Sequence, residues 1–126
     1  MDTRDLIAND LFAKHCGIEL VAVSKGAATA KMDIRPHHLN GVGIVQGGVL
    51  YTLADLALAA ASNSHGITAV SLTSVITYFK AESSGTLYAE AKELSLHRRV
   101  ATYQVDITNQ QNEPVAVFQG TVYRKA

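Results

Sequence analysis

Asp55 stands where a carboxylate is least expected. It interrupts an apolar run over positions 49–61, with Leu53, Ala54, Leu56 and Ala57 on either side. An isolated carboxylate taken out of water costs several kcal/mol unless it is paired or protonated. On a helix, the residues within reach are Tyr51, Thr52, Leu58 and Ala59, and none is basic. A carboxyl so placed is expected to have a raised pKa and to mark a functional site. The plainer alternative is an edge position or a partner distant in sequence. Gly47-Gly48 open the same run. The first amides of a helix lack intrahelical acceptors, and with the helix dipole they suit a developing oxyanion. Glycine also begins helices for close packing, so the pair alone does not specify chemistry.

Spacing constrains how these groups could cooperate. Gly47 and Asp55 are eight residues apart, which on one helix separates their backbones by about 12 Å. A reacting carbonyl needs its donors at about 3 Å and its base close by. One helix does not meet both demands. Two antiparallel helices from two copies of the chain do, with Gly47 of one facing Asp55 of the other. The arrangement therefore implies a homodimer with two sites, and assembly of dimers into a homotetramer is expected.

The elements that must position these groups follow from periodicity. Positions 6–14 read as one short amphipathic helix anchored by Leu11 and Phe12. From Ile18 the period becomes two, and Lys25-Gly26 turns the chain into a second strand that Pro36 ends. Positions 37–46, with Asn40-Gly41 and Gly43, form a loop. Leucine and alanine dominate positions 49–61, giving a helix apolar on nearly every face and stopped by Ser62-Asn63-Ser64-His65-Gly66. Four more strands are expected over positions 67–79, 86–96, 100–108 and 113–123. A helix apolar all round must be wrapped. Six strands can form one curved antiparallel sheet around it, an α+β solution in a single domain over positions 1–126. Its open edges favour pairing with a second copy.

Composition narrows the function. The chain has 126 residues, 48% hydrophobic, with 11 basic and 11 acidic residues and zero formal net charge. No basic stripe is available for nucleic acid. Cys16 is the single cysteine, so a disulfide framework or a thiolate zinc site is not expected. The five histidines are scattered apart from His37-His38, and no metal is expected. The first 14 residues carry charges throughout, and the apolar run is shorter than a membrane span of about 20 residues. A cytoplasmic protein that does not engage membranes is the expectation.

The stretch Asn40-Gly41 through Gln46-Gly47-Gly48-Val49-Leu50-Tyr51-Thr52-Leu53-Ala54-Asp55 resembles the PaaI-like hotdog thioesterases. Their pattern is an asparagine loop, then His-Gly-Gly, then a helix carrying Leu-Ala-Asp. Ile76-Thr77-Tyr78-Phe79 and Val105-Asp106-Ile107-Thr108-Asn109 extend the likeness over nearly the whole chain. The resemblance implies a hotdog fold and hydrolysis of an acyl-CoA, with coenzyme A as part of the substrate and no cofactor. It implies Asp55 as general base or nucleophile, and Gly47 as the amide that polarises the thioester carbonyl. Asn40 would hold the carbonyl or the water, and Ser71 would orient water, with Thr73 as its substitute. Gly48, Leu50, Tyr51 and Ala54 are expected against the substrate. Arg98 and Arg99, in the His97-Arg98-Arg99 turn, would meet the CoA phosphates, with Lys80 and Lys92 as weaker candidates. Gln46 departs from the family histidine; it can orient through its amide but does not titrate near neutral pH. A non-catalytic acyl-CoA sensor is therefore a competing reading. A hydratase or dehydratase is disfavoured, because the position five after Asp55, where the hydratase pattern has histidine, is Ala60.

Overall fold

The computed structural model describes residues 2–126. Two short helices, α1 (Thr3–Ala8) and α2 (Leu11–His15), precede the hairpin β1 (Ile18–Ser24) and β2 (Ala27–Asp33). A 3-10 turn (Pro36–His38) leads through the loop to α3 (Gly47–Ser62). Four strands follow: β3 (Ala69–Tyr78), β4 (Thr86–Leu96), β5 (Val100–Thr108) and β6 (Pro114–Arg124). All six strands join one antiparallel sheet in the order β1-β2-β4-β5-β6-β3, leaving β1 and β3 as open edges. The helix–hairpin–helix–four-strand order expected from periodicity is the order observed.

The sheet presents one face to α3. Ala28, Ala30 and Met32 of β2, Leu87, Ala89 and Ala91 of β4, and Ala101, Tyr103, Val105 and Ile107 of β5 are buried there. The small residues on β2 and β4 let the helix come close. The same close approach fixes Gly120 on β6, where an added Cβ would lie 2.9 Å from Leu58 Cδ2. Asn63 ends α3 and ties it to the edge strand. Its Nδ2 donates to Ala59 O at 2.8 Å and to Ala69 O at 3.3 Å, and its Oδ1 accepts from the Ala69 N–H at 2.9 Å.

The N-terminal segment differs from the single helix expected over positions 6–14. Asn9 ends α1, and Asp10 starts a new helix by accepting from the Ala13 N–H at 3.0 Å. The restart changes which residues face inward. Ala13 is buried, while Leu11 and Phe12 are 74% and 64% exposed and anchor nothing within the protomer. α1 is fastened instead by Thr3, whose hydroxyl donates to Ala60 O at 2.9 Å.

The loop before α3 is held from both sides. His38 is buried, with Nε2 2.7 Å from Cys16 O and Nδ1 accepting from the Arg35 N–H at 2.9 Å. Those partners define a neutral ring that donates through Nε2. Burial also pushes its pKa below the usual histidine value. Gln46 N donates to His38 O at 2.9 Å, and Val45 N donates to Glu82 O at 2.8 Å. The chain therefore enters α3 along a fixed path.

Candidate active site

α3 carries both halves of the expected chemistry. Its partly exposed stripe contains Gly48, Thr52, Asp55 and Ala59, and points away from the sheet. Asp55 accepts no hydrogen bond and forms no ion pair among the described residues. Burial raises its carboxyl pKa above the ordinary range, and the charge of Asp10, at the start of α2, adds to that rise. Both effects disfavour the charged form. A carboxyl in this state is a competent proton acceptor only nearer to neutral pH than an ordinary aspartate is.

At the other end of the helix, the N–H groups of Gly47 and Gly48 find no acceptor among the described residues, and no side chain caps them. Gln46 sits at the cap position with an extended backbone (φ −64°, ψ 137°), and its side chain folds over Gly48. A Cβ at Gly48 would stand 2.7 Å from Gln46 Oε1, so a side chain there would displace the end of the glutamine. Gly47 lines a cleft of about 450 Å³ together with Asn40, Ile44, Leu50, Tyr78 and Lys80. Asn40 Oδ1 accepts from Val42 N at 3.0 Å and Ile44 N at 3.3 Å. Those bonds close the loop and leave the Asn40 amide NH₂ free to donate on the cleft side.

The remaining expected residues fall in several places. Leu50 lines the cleft, though it is largely buried. Tyr51 turns toward the edge strand, where its hydroxyl bonds Ser74 and its ring meets Phe118 edge-on. Ala54, expected on the pocket wall, is wholly buried in the core. One helical step is about 100°, so the neighbour of an outward Asp55 on that side faces the sheet. On β3, Ser71 pairs with the buried Val122, which puts it on the helix-facing side. A bulge follows, and Thr73 pairs with Thr121 of the outer face. Arg98 and Arg99 are exposed in the β4–β5 turn. Arg124 Nη1 donates to His97 O at 2.8 Å, and Arg99 Nη1 donates to Tyr123 OH at 2.8 Å. Arg124 pairs with Ala69, the residue that Asn63 holds, so this turn lies at the C-terminal end of α3, away from Gly47 of the same chain. The protomer thus gathers Gly47, Gly48, Asn40, Gln46 and Leu50 in one place. Asp55 lies about two helical turns further along, and the arginine turn lies beyond it.

Two side chains that meet α3 were given no role from the sequence. Ser74 and Tyr78 reach α3 from β3, while Lys80, a weaker phosphate candidate from the sequence, forms an ion pair with Glu82 at 3.7 Å in the cleft wall. Alternation along β3 from Ser74 to Tyr78 was the available signal.

Comparison with known proteins bears on this geometry. Residues 42–116 match the family model of the thioesterase superfamily. The acyl-coenzyme A thioesterase PaaI of Escherichia coli is 36% identical over 117 residues, spanning 92% of this chain and 84% of that protein. The solved structure of the E. coli PaaI protein superposes with a TM-score of 0.95 at 32% identity, covering 99% of this chain and 91% of the other. The crystal structure of a hypothetical thioesterase protein with coenzyme A from Streptococcus pneumoniae gives a TM-score of 0.89 at 26% identity, covering 98% of this chain and 97% of the other.

Proposed function

This chain belongs to the thioesterase superfamily and is a thioester hydrolase of hotdog fold, and we propose that it cleaves an aryl- or short- to medium-chain acyl-CoA in a site shared by two copies. The Gly47 N–H of one copy, with the Asn40 amide, draws charge onto the thioester oxygen. Asp55 of the second copy takes a proton from the attacking water or itself attacks the carbonyl carbon. In the water route, a tetrahedral oxyanion forms on the donors, the C–S bond breaks, and the acid and CoA thiol leave. Gln46 orients and carries no proton.

The observation that carries this reading is the separation of parts along α3. An unpaired carboxylate stands about 12 Å along the helix from a pair of free amides. Two-fold pairing of α3 brings each to the other's counterpart. The edge strand supports such pairing: β3 offers an unpaired ladder together with exposed Val70, Leu72 and Val75. Arg98 and Arg99 then meet the CoA phosphates of the site built on the other copy's Gly47, because their turn lies at the far end of their own α3. Pairing of dimers into a tetramer and a cytoplasmic setting complete the proposal. No helix among the described residues is long and apolar enough to cross a membrane. The reaction draws on no cofactor, since CoA enters with the substrate. Proton relay of the hydratase kind has no group at Ala60, which is wholly buried.

The test is hydrolysis of a panel of aryl- and alkyl-CoA thioesters, followed by free thiol, for the native protein and Asp55→Asn. Turnover that falls by about 10²–10⁴ in the variant is expected. CoA binding without thiol release by either protein would establish the acyl-CoA sensor instead.

A further inference from the structure

Tyr78 closes β3 against the first turn of α3. Its hydroxyl donates to Gly47 O at 3.0 Å. A Cβ added at Gly47 would stand 2.9 Å from the phenol oxygen and 3.0 Å from Cζ, so the ring is why position 47 has room only for hydrogen. In register, Tyr78 pairs with the buried Ala116, on the same side of β3 as Ser74 and Ile76. It also lines the cleft that holds Gly47 and Asn40.

The carbonyl that Tyr78 binds belongs to the peptide unit that supplies the Gly48 N–H, because the peptide group is planar and conjugated. A hydrogen bond to the oxygen of an amide fixes its plane and strengthens its N–H as a donor. Helix geometry already gives Gly47 O a partner in the Tyr51 N–H, so the phenol is not needed to satisfy that oxygen. Tyr78 is also half exposed, where a hydrogen bond adds little to folding. Thr52 makes the comparable bond to Gly48 O at 2.8 Å from within the helix. Tyr78 makes its bond from a different element, the strand whose open edge faces a second copy.

We propose that Tyr78 is a positioning residue for thioester hydrolysis: through Gly47 O it holds and polarises the Gly47–Gly48 peptide, so that the Gly48 N–H joins the Gly47 N–H as a second donor to the substrate carbonyl. The inference rests on the hydrolase reading above. It makes the interface strand the element that aligns the oxyanion donors.

Tyr78→Phe removes one hydroxyl and keeps the ring. In the full chain, with benzoyl-CoA and hexanoyl-CoA as probes, kcat should fall about threefold to tenfold while KM stays within about twofold. The melting temperature and the pH profile of kcat should match wild type, since Asp55 is untouched. Asp55→Asn, measured beside it, separates the two readings. Loss of activity in Asp55→Asn with an unchanged kcat in Tyr78→Phe overturns this inference and leaves the hydrolase reading standing. A fall in kcat matched by a rise in KM or by a lowered melting temperature assigns Tyr78 a structural role and also overturns it. No thiol release by the wild-type protein from either probe overturns the hydrolase reading and this inference together.

Discussion

Asn63→Ala separates the helix that carries the chemistry from the strand that lines the cleft. The side chain makes four hydrogen bonds, to Ala59 O, to both polar groups of Ala69 and, at 3.5 Å, to the Ser62 hydroxyl, and is itself buried. Its loss leaves the Ala69 N–H, on a residue 9% exposed, without a partner. An orphaned buried donor costs about 1–3 kcal/mol, and the other bonds contribute about 0.5–1.5 kcal/mol each. The cap of α3 also weakens, since the Asn63 amide covers a last-turn carbonyl. These terms overlap, and a total of about 2–4 kcal/mol follows. For a chain of this size that lowers the melting temperature by roughly 6–16 °C. Calorimetry or circular dichroism against temperature reads the shift. Asn63→Asp keeps the acceptor for the Ala69 N–H and should lose less. A melting temperature within about 2 °C of wild type for the alanine variant would refute this reasoning.

The other predictions concern charge and packing. Asp55→Asn should raise thermal stability while it removes activity, because the folded state penalises the ionised carboxyl. The folded pKa lies above the unfolded one, so the gain is absent below the ordinary carboxylate range, grows as pH rises toward the folded value and is constant above it. Melting curves from pH 3 to 8 that show no gain, or one that shrinks as pH rises, contradict this. For Glu93, burial pushes the carboxyl up, but hydrogen bonds from Tyr103 and His65 and the charge of Arg124 outweigh it and hold the pKa low. Its contribution is present above the ordinary carboxylate range and disappears as pH falls through the folded value. Glu93→Gln should thus be less stable than wild type at pH 7, and the two should converge in acid. Gly120→Ala drives a Cβ to 2.9 Å from Leu58 and 3.1 Å from Phe118, and overpacking of this kind costs about 1–3 kcal/mol. A denaturant midpoint equal to wild type would show that the helix can lift away freely.

How much of this was legible in the sequence depended on whether the signal was local. Alternation and turn residues placed the strands, and the leucine–alanine run placed α3 with its glycines and Asp55. The raised pKa of Asp55 was foreseeable because the argument needed only apolar neighbours and no basic residue in helical reach. Spacing along one helix also pointed to the second copy that the proposed site uses, which no periodicity could show. What escaped depended on where other elements lie. Ala54 and Tyr51 are adjacent to the right residues in sequence, but only the position of the sheet decides that one is buried and the other turns to Ser74. Leu11 and Phe12 mimic an anchor pair until Asp10 restarts the helix and swings them outward. Tyr78 matters through a contact between residues 31 apart in the chain, which pattern reading does not reach.

Subunit complementation tests the shared site most directly. Asp55→Asn removes the carboxylate from one chain, and Asn40→Asp removes the side-chain amide donor beside Gly47 from the other. Aspartate keeps the Oδ1 that accepts from Val42 N and Ile44 N, and its charge opposes an oxyanion. Each variant alone should be inactive. After subunit exchange of an equal mixture, half the dimers are mixed, and each carries one intact site with Gly47 from one chain and Asp55 from the other. Recovery to about a quarter of wild-type activity is predicted. A mixture that stays inactive, with exchange verified by mass, would place both groups in the same protomer's site and contradict the account.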